Sequence, residues 1–140
     1  METNITEGAR PTKEANLTNG IRTLIKRKIQ RGDMFYTDLT PGVGSEQRGH
    51  RPVLIISNNA GNKYSNTVIV AIITSQMEHK PNMPTHCYLK AQQELELNSL
   101  VLLEQIRTID KARLNEYIGT LDNEAMSKID RALAVSVGLE

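Results

Sequence analysis

Thr67-Val68-Ile69-Val70-Ala71-Ile72-Ile73-Thr74 carries no charge and is rich in β-branched residues. Such side chains are stiff at χ1 and pack well on a pleated surface. An unbroken apolar run of this length reads as a strand buried on both faces, because a strand with one wet face would alternate. On its N-terminal side stand Asn58–Asn66 (NNAGNKYSN), of turn composition and expected to be a loop, and Arg51–Ser57 (RPVLIIS), a second mostly apolar strand. Before these lie TPGVGSEQRGH, residues 40–50, with three glycines, and the strand candidate Met34-Phe35-Tyr36-Thr37.

On the C-terminal side, Pro84–Leu89, Leu100–Thr108 and residues 115–121 (NEYIGTL) are further expected strands. The period then changes. Met126, Ile129, Leu133 and Val137 share one helical face, Asp122 is placed to cap the helix, Glu124 and Lys128 stand at a stabilising spacing, and Gly138 marks its end. Short strands followed by one helix predict an α+β domain: a small antiparallel barrel or curled sheet with a covering C-terminal helix.

The chain has 140 residues, enough for one domain with its own core. With no Trp and one Phe, that core must be built from Ile, Leu, Val and Met. Cys87 is the only cysteine, which excludes an intramolecular disulfide or a cysteine-based zinc cluster and fits a reducing cytoplasm. No apolar run approaches the ~20 residues of a membrane helix, and the polar opening residues give no sign of a secretion signal. Residues 1–32 hold seven Lys/Arg against three Asp/Glu; residues 33–140 hold ten against thirteen. Residues 1–29 are therefore expected to form a flexible tail and a basic arm, with Leu17, Ile21, Leu24, Ile25 and Ile29 at helical spacing and Arg22, Lys26, Arg27, Lys28 and Arg31 decorating them. The body, residues 30–140, has no bulk charge that announces a nucleic-acid binder, so a phosphate site there must be a local cluster.

Phosphate-binding glycine loops, dinucleotide fingerprints, HExxH and the nucleophile elbow are all absent, and His50, His79 and His86 are scattered without metal-ligand spacing. What remains is the loop around Arg48, His50 and Arg51. Pro52 biases Arg51 towards an extended backbone at the edge of a buried strand, where a guanidinium can grip phosphate through its planar fork. A surface arginine is the plainer reading. Thr74, at the end of the buried strand, is equally well explained as a β-former.

Several segments in register resemble one family. Gln30–Leu39 is similar to the opening strand of MazF/PemK toxins, and Val43–Ile56 (VGSEQRGHRPVLII) to their loop and second strand. Val70–Gln76, Pro84-Thr85-His86 and Leu103–Lys111 follow in the family's order, and the likeness spans roughly residues 30–139. The resemblance implies an SH3-like or CcdB-like fold and a sequence-selective, metal-independent endoribonuclease that cuts single-stranded RNA by 2′-OH attack, leaving 2′,3′-cyclic phosphate and 5′-OH ends. It maps the catalytic pair onto Arg51 and Thr74. It assigns RNA contacts to Ser45, Glu46 and Gln47, with Gln76 and Gln105 as weaker candidates for the same groove. Arg48 and His50 are further candidates for RNA contact: Arg48 stands where the family is expected to have glycine, and His50 is also a candidate for proton transfer. The resemblance further implies a homodimer, a MazE-like antitoxin whose flexible, acidic C-terminal segment occupies the RNA groove, and no cofactor. The rivals are a non-catalytic CcdB-like gyrase-binding toxin, an RNA-binding pseudoenzyme, and an adaptor built on the basic helix.

Overall fold

A computed structural model describes residues 27–39, 42–46, 49–77 and 82–140. Six strands form one antiparallel sheet: β1 (Asp33–Asp38), β2 (His50–Ile55), β3 (Thr67–Thr74), β4 (His86–Leu89), β5 (Ser99–Asp110) and β6 (Leu114–Thr120). Helix α1 (Asn59–Tyr64) bridges β2 and β3, and helix α2 (Asn123–Ser136) follows β6. The strand order is β4-β5-β3-β2-β1-β6. Of the two expected forms, the curled open sheet is the one found.

The curl follows from connectivity. Three inter-strand steps, through β3, β2 and β1, plus a fourth onto β6, would set β5 and β6 about 19 Å apart in a flat sheet. A single 3-10 turn, Lys111–Arg113, joins them, and such a turn rises only about 2 Å per residue. The sheet must therefore roll up. Arg107 of β5 reaches across the rolled face and donates from Nη1 to the Leu39 carbonyl just beyond β1, at 2.7 Å.

Rolling creates two cores. Met34, Leu54, Ile56, Ala71, Ile73, Val101, Leu103 and Ile118 face α2, which seats Ile129 and Ala132 among them. Phe35, Leu39, Val53, Ile55, Val68, Val70, Ile72, Ile109 and Leu114 fill the inner face, with Ile29 packed against them. From Val70 to Thr74 β3 is buried on both faces, as its composition predicts, whereas Thr67 and Ile69 at its start are exposed.

The structure moves several expected boundaries. Residues 58–66 contain α1 rather than only a loop. The Asn58 side chain caps it by accepting from the Gly61 amide at 2.8 Å, and the buried Asn62 donates to the Ser57 carbonyl at 2.9 Å. Asparagine and glycine favour turns and caps alike, so composition hid the helix. β2 stops at Ile55 because the Ile56 and Ser57 amides both turn to the Ile69 carbonyl. β4 starts at His86, whose amide closes a turn onto Met83. β5 extends to Asp110, with a register shift opposite Ala71 and Ile72.

Asp122 caps α2 through its carboxylate to the Ala125 amide at 2.8 Å, and Gly138, at φ +82°, ends it. Val137 is exposed, whereas Ala132 is buried, so the inward face is shifted from the expected stripe. The expected N-terminal helix lies mostly in residues 1–26, outside the described residues. Of the arm's last residues, Arg27 stacks over Tyr117 at 3.5 Å and Ile29 enters the inner core.

Ile129 is fully buried where α2 meets the sheet. Ile129→Ala should lower stability by about 2–5 kcal/mol, seen in urea unfolding as a lower midpoint with an unchanged slope.

Candidate active site

β1, β2 and β3 bring the expected pair together. Thr37 pairs with Arg51 across β1 and β2. β2 and β3 pair Val53 with Ile72, Leu54 with Ala71 and Ile55 with Val70. Continuing that register two residues sets Arg51 opposite Thr74. Directly opposed residues share a sheet face with Cβ atoms about 5 Å apart, here the inner face that carries Val53 and Ile72. The row extends to both edges: Thr37 also pairs with Leu114, Thr74 with Leu100, and Leu100 with Tyr88. Each of the six strands thus gives one residue to the row Leu114, Thr37, Arg51, Thr74, Leu100, Tyr88.

Arg51 is half-buried, and Thr74 is 1% exposed. Thr74 Oγ1 accepts from the Gln76 amide at 3.2 Å, which fixes the hydroxyl oxygen and keeps its proton available for donation. Thr37 Oγ1 donates to the Arg113 carbonyl at 2.6 Å, and the Arg113 guanidinium donates to the Asp38 carbonyl. Arg107 and Arg113 therefore brace the start of the loop between β1 and β2.

Ser45 and Glu46 lie exposed on that loop. The Glu46 carboxylate accepts from the Val43 amide at 2.9 Å, so in this state it shapes the turn that displays it. Gln47 and Arg48 fall outside the described residues, as does His79. Gln76 is exposed immediately beyond Thr74, and Gln105 lies half-buried at the irregularity in β5.

His50 does not join the pair. It is one residue from Arg51, so the pleat sends it to the other face, where its ring stacks on Tyr36 with centroids 5.2 Å apart and planes 10° from parallel. Another histidine occupies the inner face. His86 pairs with Leu102, which pairs with Ile72, one row behind Thr74. Its Nε2 meets Glu104 Oε2 at 2.9 Å, while Glu104 Oε1 accepts from Thr85 Oγ1 at 2.8 Å. The His86 side chain is 4% exposed, and its Nδ1 has no partner among the described residues. Pro84-Thr85-His86 and Leu103-Glu104-Gln105 were legible only as separate fragments; the cross-strand pairing joins them. Cys87, the neighbour of His86, faces α2. Burial pushes its thiol pKa up, with Lys128 and Arg131 pulling the other way.

Burial raises the Glu104 pKa, but the hydrogen bonds from His86 and Thr85 outweigh it and hold the carboxyl below the ordinary glutamate value of 4.5. A carboxyl depressed in the folded state stabilises the fold above that value and loses the contribution as pH falls. Glu104→Gln should therefore be less stable than the parent at neutral pH. That gap should close as thermal melts are carried below about pH 4.5.

Comparison with known proteins identifies the family. The family model described as "PemK-like, MazF-like toxin of type II toxin-antitoxin system" matches residues 30–137. The chain is 52% identical over 112 residues to Endoribonuclease EndoA of Bacillus subtilis (strain 168), covering 79% of this chain and 96% of that protein. A mycobacterial endoribonuclease solved with its cognate antitoxin aligns with a TM-score of 0.67 at 29% identity, over 80% of this chain and 97% of that one. MazF from Deinococcus radiodurans shares the fold with a TM-score of 0.68 at 23% identity, over 81% and 99% of the two chains. The chain belongs to the PemK-like, MazF-like toxin family of type II toxin–antitoxin systems.

Proposed function

We propose that this toxin is an endoribonuclease that cuts single-stranded RNA, mRNA in the cell, at selected sequences and without a metal ion. The observation that carries the reading is the β2–β3 register, which pairs Val53 with Ile72 and, continued two residues, sets Arg51 opposite Thr74 on the inner face. The ribose 2′-OH attacks the adjacent phosphorus, the P–O5′ bond breaks, and the products are a 2′,3′-cyclic phosphate and a 5′-OH end. Because the substrate supplies the nucleophile, no activated serine or cysteine is required.

The phosphorane gathers negative charge on its non-bridging oxygens. Arg51 neutralises it through a planar donor fork. The Thr74 hydroxyl, whose oxygen accepts from the Gln76 amide, keeps its proton to donate to the same oxygens. Ser45, Glu46, Gln47 and Arg48 approach the bases and backbone from the loop, and Gln76 and Gln105 line the groove. An ordinary guanidinium has a pKa above about 12 and is a poor proton carrier near neutrality. With His50 on the far face, proton transfer falls to another group or to water.

The reading extends to a homodimer and to a cognate antitoxin whose acidic C-terminal segment competes for the arginines. It also places the protein in the cytoplasm, where its substrate is; no helix among the described residues is long and apolar enough to cross a membrane.

The purified toxin should cleave single-stranded RNA in excess EDTA and leave cyclic phosphate ends, mapped by end-labelling. Arg51→Ala should lose on the order of 100- to 1000-fold in rate, and Thr74→Ala a comparable factor, as expected for a preorganised donor. A correctly folded wild type that leaves RNAs of varied sequence intact would overturn the reading.

A further inference from the structure

The row that joins Arg51 to Thr74 does not stop at the pair. Thr74 is paired with Leu100, and Leu100 with Tyr88 on β4. Directly opposed residues share a face, so Tyr88 stands on the catalytic face at the level of the catalytic pair. It is also the open end of the row. β4 is the outer strand of the sheet, and Tyr88 is 58% exposed, whereas Thr74 is 1% exposed. Leu100 is half-buried between them and forms an apolar floor.

We infer that Tyr88 is a stacking platform for an unpaired RNA base on one flank of the scissile phosphate. The proposal rests on the RNA-cleaving reading above and deepens it. Three inter-strand spacings separate Tyr88 from Arg51, about 14 Å along the sheet. A fully stacked strand rises about 3.4 Å per base, which puts Tyr88 about four nucleotides from the cut; a strand with splayed bases spans more per nucleotide and brings that number down towards two. Single-stranded RNA is recognised by splaying bases onto aromatic side chains. A tyrosine suits the task because its ring is apolar while its hydroxyl stays in water. Stacking tolerates any base, so Tyr88 supplies grip and alignment, and polar side chains such as Ser45 and Glu46 on the β1–β2 loop supply the reading of base edges.

The test compares wild type, Tyr88→Ala and Tyr88→Phe on an oligoribonucleotide containing the cut site. A matching oligonucleotide with a 2′-deoxy sugar at the scissile position serves for binding. Removing a stacking side chain typically costs roughly 5- to 150-fold in affinity per base. Tyr88→Ala should weaken binding of the uncleavable RNA by a factor in that range, with the loss on KM rather than kcat, and Tyr88→Phe should restore it. 2-Aminopurine placed two to four nucleotides from the cut should be quenched on binding to wild type and to Tyr88→Phe, and less by Tyr88→Ala. Equal binding and equal quenching by Tyr88→Ala would overturn the proposal. So would loss of binding accompanied by a shift from dimer to monomer in sedimentation, which would make Tyr88 a subunit contact. A wild type that binds the RNA with Tyr88-dependent quenching but never cuts it would sink the catalytic reading and leave the platform standing.

Discussion

Burial of β3 on both faces is the constraint on which the rest of the molecule depends. Val70 and Ile72 fill the inner core while Ala71 and Ile73 fill the core beneath α2. A one-residue slip against β2 would exchange every side chain between faces. It would also carry the Thr74 hydroxyl away from Arg51. The alignment of Arg51 with Thr74 is thus a by-product of apolar packing further along the same strands.

The short turn between β5 and β6 adds the second constraint. By forcing the sheet to roll, it turns one face inward and lets Arg107 on β5 hold the Leu39 carbonyl at the mouth of the loop between β1 and β2. The Leu39 amide in turn donates to the Gly49 carbonyl, closing that loop at its base. Arg51 and Thr74 therefore sit on strands, whereas Ser45 and Glu46 ride on a loop in which the Glu46 carboxylate and amide both close a turn onto Val43. The strands give the proposed pair the preorganised geometry that charge stabilisation needs.

Much of this fold was legible from periodicity. β3 was found at its true limits because an unbroken β-branched run has one stable setting, and Asp122 and Gly138 marked the ends of α2 because caps are local chemistry. The site was less legible for the opposite reason. Arg51 and Thr74 are 23 positions apart in the chain, and nothing local says that their strands are neighbours in that register; only the likeness to a family supplied it. His50, although adjacent to Arg51 in the chain, lies on the opposite face against Tyr36, because neighbours in a strand alternate faces. The contact of His86 with Glu104 was invisible for the same non-local reason.

Charge completes the argument. Residues 33–140 carry ten Lys/Arg against thirteen Asp/Glu, so the body of the domain offers RNA no broad attractive field. Its cations act by position: Arg51 in the row, with Arg107 and Arg113 tied to backbone carbonyls around it. Each phosphate neutralised on a single strand contributes a salt dependence of only about 0.7 in logarithmic slope. A site with few such contacts cannot draw its affinity from phosphates alone. The remainder must come from base contacts, a demand that the proposed loop contacts and the exposed ring of Tyr88 would meet.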